Sequence, residues 1–162
     1  MMKEVEMNKQ AKLSEHFSLG ELTRSKSHPE IYNIPSRQVI ENLKRVCVWL
    51  EALRARYNER YVLAGAGEPI IITSGYRSAE LNRKVGGVAT SNHLTGCAVD
   101  IRVAGKEQLI RYACILLDYA DETKQEFDEL LLEHGANGVI WLHFAVRPPG
   151  QQNRRKISFL KA

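Results

Sequence analysis

An imidazole and a carboxylate stand seven positions apart in the stretch Ser91-Asn92-His93-Leu94-Thr95-Gly96-Cys97-Ala98-Val99-Asp100. Both are ligand types that zinc accepts, and catalytic zinc sites combine three protein ligands with a water. Gly96 permits the tight turn that would fold His93 back towards Asp100. Alternation along a strand from Ala98 to Val103 sets Ala98 and Asp100 on one face, with Val99 and Ile101 on the other. A carboxylate in the middle of an apolar strand is costly to bury bare, and metal ligation meets that cost. The third ligand must come from elsewhere in the fold. His143 offers itself from the almost entirely apolar run Val139-Ile140-Trp141-Leu142-His143-Phe144-Ala145-Val146. Spacing alone leaves an equal alternative: a turn histidine, a strand-end salt bridge and a satisfied core histidine.

The elements that must position these residues can be read from periodicity. Ser18 and Glu21 have capping-box spacing, and Phe17 can staple onto Leu22, which predicts a short helix there. Val39, Ile40, Leu43, Val46, Leu50, Leu53 and Tyr57 recur at helical spacing after Ser36, the natural N-cap of a long amphipathic helix. Gly65 to Pro69 breaks the chain, and Ile70 to Thr73 reads as a short buried strand. A second helix is expected from Lys106 to about Ala120, with Leu109, Ile110, Ala113, Leu116 and Leu117 inward. Strands Phe127–Glu133 and Val139–Val146 follow, joined by the hairpin loop His134 to Gly138. Lys156 to Leu160 adds an edge strand. Helices set against a small, mostly antiparallel sheet make an α+β domain, expected over residues 13–162 behind a mobile tail of residues 1–12.

The pattern Ser91-x-His93-x-x-Gly96-x-Ala98-x-Asp100, followed by Trp141-x-His143, resembles the signature of the zinc D-Ala-D-Ala carboxypeptidase family. That family includes D-alanyl-D-alanine dipeptidases and phage L-alanyl-D-glutamate endopeptidases, and it shares its fold with the hedgehog signalling domain. Thr73-Ser74-Gly75-Tyr76-Arg77-Ser78, Leu81-Asn82 and Val85-Gly86-Gly87 resemble the segment before the family's first ligand. Phe17 to Leu22 and Asn33-x-Pro35 resemble a compact phage- and prophage-associated branch. The resemblance implies a hedgehog/DD-peptidase-like fold, Zn²⁺ as cofactor, and His93, Asp100 and His143 as its ligands. It implies that Arg77 binds a substrate carboxylate or steadies the oxyanion, and that Ser91 bonds substrate. Trp141, on the same face as His143, would stack beside substrate or wall the site.

For the general base the chain departs from several relatives. Dipeptidase-type members place a glutamate at the position of Ile140, and carboxypeptidase and hedgehog types a histidine at that of Trp141. Glu133, at the end of the preceding strand, is the remaining candidate. Asp128 and Glu129 lie further down that strand, and His134 could assist from the loop. The expected function is a zinc peptidase cutting peptidoglycan stem peptides, with a non-catalytic zinc-containing cell-wall-binding module as the alternative.

Bulk properties are compatible with this. A chain of 162 residues with 44% apolar and 26% charged residues suits one soluble globular domain. No run approaches the roughly 18 apolar residues of a membrane helix, and residues 1–12 lack the apolar core of a signal peptide. A cytoplasmic origin is therefore expected, followed either by release to the wall by a phage-type route or by action on precursors and recycled peptides within the cell. The net charge of +4 owes much to Asn153-Arg154-Arg155-Lys156, which reads as a solvated edge and not a nucleic-acid surface. Three cysteines without a C-x-x-C pair read as buried thiols, Cys97 facing away from the metal.

Overall fold

The structure, a computed structural model, describes residues 7–65 and 67–162. Residues 1–6 of the expected tail and Ala66 of the chain break lie outside the described residues. Its elements in chain order are α1 (Arg37–Tyr61), β1 (Ile72–Ser74), α2 (Ala79–Lys84), a 3₁₀ turn (Asn92–Thr95), β2 (Ala98–Arg102), α3 (Lys106–Thr123), β3 (Glu129–His134), β4 (Ile140–Ala145) and β5 (Lys156–Lys161). The five strands form one sheet in the order β1-β2-β4-β3-β5. All pairs are antiparallel except β3 with β5. This is the expected α+β arrangement, compatible with a hedgehog/DD-peptidase-like fold.

The sheet's two faces have different work. Val99, Ile101, Leu130, Leu132, Leu142 and Phe144 point into one core with Leu43, Val46, Leu50 and Leu53 of α1 and Leu109 and Leu116 of α3. Ser36 caps α1 by accepting from the Val39 N–H, as its position in the sequence predicts. Trp49 fills the centre, edge-on to Tyr119 and tilted against Phe144. The opposite face carries Asp100, His143, Leu131 and Glu133, because residues paired across antiparallel strands share a face and alternate residues repeat it.

Three local expectations are corrected. Phe17 to Leu22 makes turns and not a helix. The capping-box bonds are formed, Ser18 N–H to Glu21 Oε1 and Glu21 N–H to Ser18 Oγ. The chain beyond completes only one turn, Leu22 N–H to Ser18 O and Arg24 N–H to Gly20 O, while Leu19 N–H and Gly20 N–H tie it to Ala11 O and Lys9 O. Ile110 is 53% exposed, because the buried stripe of α3 runs through Leu109, Tyr112, Leu116 and Ala120 and leaves Ile110 to one side. Cys114 is exposed, whereas Cys47 and Cys97 are buried as expected. Burial pushes the Cys47 thiol up to about 12.

The N-terminal turns press directly on the segment preceding α2. Tyr76 donates its N–H to Leu22 O, and a Cβ on Gly75 would stand 2.2 Å from that same carbonyl. Asn33 ties the layers together, donating to Thr23 O and Tyr76 O and accepting from Ser78 N–H. Gly75→Ala is expected to cost about 2 to 3 kcal/mol through overpacking against backbone, read as a lower midpoint in urea unfolding at unchanged slope.

Candidate metal centre

His93 is set by backbone on three sides. The 3₁₀ turn carrying it is capped by Ser91, whose hydroxyl accepts from the His93 N–H. Gly96 closes the turn in the left-handed region, at φ 75°, where a Cβ would strike Val39. Asn42 of α1 donates to Thr95 O, and the His93 carbonyl accepts from Arg77 N–H. The Nδ1 of His93 lies 2.7 Å from Gly75 O. A carbonyl only accepts, so Nδ1 carries the proton and Nε2 offers its lone pair to the site.

That lone pair faces Asp100, with His93 Nε2 and Asp100 Oδ2 3.4 Å apart. Asp100 is paired with His143 across β2 and β4, and its Oδ1 lies 3.0 Å from His143 Nδ1. All three residues are buried, and their ligand atoms lie within 4.8 Å of one another. Donors around one zinc ion stand about 3.4 Å apart, given bond lengths of roughly 2.0–2.1 Å and tetrahedral angles. The set therefore fits that ion in both chemistry and spacing.

The electrostatics agree. Burial would raise the Asp100 carboxyl, yet the neighbouring His93 and the bond to His143 hold it well below the usual carboxylate range. Burial would lower His143, but Asp100 and Glu129 overcome this and push it up to about 10. The surroundings thus favour positive charge at this point.

Arg77 lies against the same carboxylate. It donates from Nε to Ser74 Oγ, from one terminal nitrogen to Asn82 Oδ1 and from the other to Asp100 Oδ2 at 3.2 Å. Its ion pair is with Asp100 and not with the adjacent Glu80. Gly87 makes room for this, since a Cβ there would lie 2.0 Å from Asn82 Oδ1 and 3.0 Å from the Arg77 guanidinium.

Glu133 sits opposite Trp141 on the face that carries His143. Burial raises its carboxyl, His143 pulls it down, and the Asp100 charge raises it again, so it lies within electrostatic reach of the cluster. The Trp141 indole N–H is buried without a hydrogen-bond partner, although it is near enough to favour the charged form of Glu133. His134 is exposed and by alternation turns to the opposite face from Glu133.

A backing layer was not evident from the sequence. Glu129, set aside there as a weaker candidate base, lies with Oε1 3.1 Å from His143 Nε2. Asn92 donates to both Glu129 and Asp128. The Asp128 side chain is 0% exposed and accepts from Arg154 N–H, from the Arg154 side chain and from Asn92. Arg147 adds a contact at 3.3 Å. The basic run 153–156 is the solvated edge expected, with the Arg154 side chain 44% exposed, and it also supplies the counter-ion of the buried Asp128. Glu129 was within reach of sequence reasoning, because its even spacing from Glu133 and Leu131 places it on the ligand face. Asn92 gave no such signal.

A sequence model of the family described as Peptidase M15 matches residues 15–117. The chain is a member of the Peptidase M15 family. That membership makes it a hydrolase of the peptidase class, and M15 peptidases are typically zinc-dependent. The match spans Arg77, His93 and Asp100, whereas Glu133 and His143 lie beyond it. Comparison with curated proteins gives no match. Among the described residues of this M15 member, no helix is long and apolar enough to cross a membrane.

Asp128→Asn is expected to destabilise the fold by about 2 kcal/mol, reduced from a fully buried pair because Arg154 is partly solvated. Burial opposes the charged form of Asp128, yet the bonds from Arg154 lower its pKa from 3.8 to about 2. The stabilisation is therefore complete above the unfolded value and fades as pH falls through about 2. Unfolding curves of the two proteins should converge at that acid limit and stay apart at neutral pH.

Proposed function

We propose that this M15 protein is a zinc metallopeptidase hydrolysing peptide bonds in peptidoglycan stem peptides, of D-Ala-D-Ala carboxypeptidase or L-Ala-D-Glu endopeptidase type. The observation that carries this reading is the convergence of His93, Asp100 and His143, all buried, on one point. His93 Nε2, the Asp100 carboxylate and His143 Nδ1 would hold the ion. When bound, zinc supplies Lewis acidity towards the scissile carbonyl and brings deprotonation of water to about pH 7.

The chain's own residues do the rest. Glu133 takes the proton of the attacking water and returns it to the leaving amine, the task of a partly desolvated carboxylate on the ligand face. The Trp141 indole N–H steadies the charged form of Glu133 between these transfers, and its ring walls the substrate. Arg77, its plane fixed by Ser74 and Asn82, presents a forked donor to a substrate carboxylate or to the developing oxyanion. The Ser91 hydroxyl accepts from His93 and keeps its O–H to donate to substrate. Glu129 holds His143 so that Nδ1 faces the ion, the outer-layer arrangement usual for a histidine ligand. The wall substrate itself is supported by the ligand signature, Ser91-x-His93 through Asp100 and Trp141-x-His143, which resembles that of enzymes acting on D-amino-acid peptides.

The test begins with metal content. Purified protein should hold about one zinc per chain, lost in His143→Ala, and should release peptides from peptidoglycan. Glu133→Gln should keep zinc and lose about 10²- to 10⁴-fold in turnover. Absence of zinc after incubation with the ion would end the metallopeptidase reading. Zinc with wall binding but no released peptide would point to a binding module instead. Glu129→Gln is expected to weaken zinc affinity about 10- to 100-fold, measured by competition with a chromogenic chelator; unchanged affinity would remove Glu129 from the metal's support.

A further inference from the structure

Among the described residues, β5 pairs with β3 and with no further strand, so the sheet ends on its outer edge. Lys156 N–H and Ala162 N–H point inward, to Asp128 O and His134 O. Backbone direction alternates along a strand, so Ile157, Phe159 and Lys161 turn their N–H and C=O groups out along the open edge. The same residues carry their side chains on the helix face, because Ile157 and Phe159 are aligned with the core residues Leu130 and Leu132. Phe159 is 82% exposed and walls a groove of about 410 Å³ with Leu109, Ile110, Leu132 and Ile140. Lys106 and His134 also border the groove, and Lys161 is aligned with His134. Glu133 borders it too, but alternation turns its side chain to the metal face. Lys156 stands at the other end of β5. Among the described residues the one lysine ion pair is that of Lys44 with Glu41, which leaves Lys106, Lys156 and Lys161 unpaired.

An open strand edge is a template for another strand. Strand addition draws affinity from main-chain bonds and specificity from alternate side chains. The groove suits apolar side chains on the helix side of an added strand. The unpaired lysines attract carboxylates at its ends and repel cations. A second copy of this chain is the poorer occupant: it would bring two lysines from each β5 to one short seam, with no carboxylate on either strand. We propose that the open edge of β5 and the groove beside it form a docking surface for an acidic segment of a partner protein. The segment adds as a strand, with apolar residues alternating along its helix side and carboxylates at its ends. This surface lies on the face opposite the metal ligands and is independent of the peptidase reading.

The test uses the full chain and two fluorescent peptides, Asp-Thr-Val-Thr-Val-Thr-Asp and the same sequence with lysine at both ends. At low salt the acidic peptide should bind about tenfold more tightly, the worth of two exposed charge pairs set against two repulsions. The difference should shrink at high salt, and Lys156→Glu/Lys161→Glu should reverse the preference. Hydrogen exchange followed by magnetic resonance reads the mode of binding: the acidic peptide should slow exchange at the amides of Ile157, Phe159 and Lys161. Ile157→Pro removes an outward donor and leaves the pairing with β3 intact; it should weaken the acidic peptide about fivefold, with an unchanged circular dichroism spectrum. Absence of binding, equal binding of the two peptides, or protection confined to residues away from β5 would overturn the proposal. A dimer in sedimentation that Ile157→Pro dissociates would overturn it as well, by giving the edge to a second copy.

Discussion

Burying the Asp100 carboxylate in the centre of β2 would be prohibitive without compensation. The architecture around the site can be read as the means of compensating it. One oxygen faces His143 on the adjoining strand, while the other faces His93 from the 3₁₀ turn and Arg77 from the segment before α2. Antiparallel pairing of β2 with β4 fixes the first contact by register alone. The other two require the chain between β1 and β2 to fold over the sheet. There the close approaches of Gly75, Gly87 and Gly96 leave no room for side chains. The N-terminal turns exist in this scheme as a platform, holding the carbonyl of Gly75 against the His93 ring.

Behind the ligands lies a second tier of charge: Glu129 against His143, Asn92 between Glu129 and Asp128, and Asp128 against Arg154 and Arg147. Each polar group in this tier is answered by another, so the site is held rigidly although it is rich in charges. Such a fully satisfied network orients the side chains of His93, Asp100 and His143 by protein contacts alone. Arg77 belongs both to the metal face and to the wall of an adjoining cleft.

Much of this was legible in the residues. Asp100 and His143 stood out as polar residues in apolar strands, but spacing alone left the core and salt-bridge readings equal, and the family resemblance singled them out. Glycine and proline punctuation with helical periodicity delimited α1, α3 and the β3–β4 hairpin. What escaped depended on partners distant in sequence. The capping box at Ser18 and Glu21 formed its own bonds, but the chain beyond it completes only one turn, Leu22 N–H to Ser18 O and Arg24 N–H to Gly20 O. The exposure of Ile110 turned on where the stripe of α3 is centred, which its flanking residues decide. Arg154 is solvent-facing as read, but its bond to Asp128, 26 positions earlier, left no mark in the sequence.

The sheet finishes on β5, a strand paired on only one side, with Phe159 82% exposed. An open strand edge with apolar side chains invites pairing with another molecule, and flanking lysines are a common deterrent. Lys156 and Lys161 occupy the two ends of β5. The segment leading into this strand also carries Arg154 to Asp128 and Arg155 over the ring of Phe127. Detaching β5 would therefore expose the edge of β3 and loosen the charges behind His143 together. The lysines that guard the sheet edge and the counter-ion of Asp128 are vested in the same short stretch of chain.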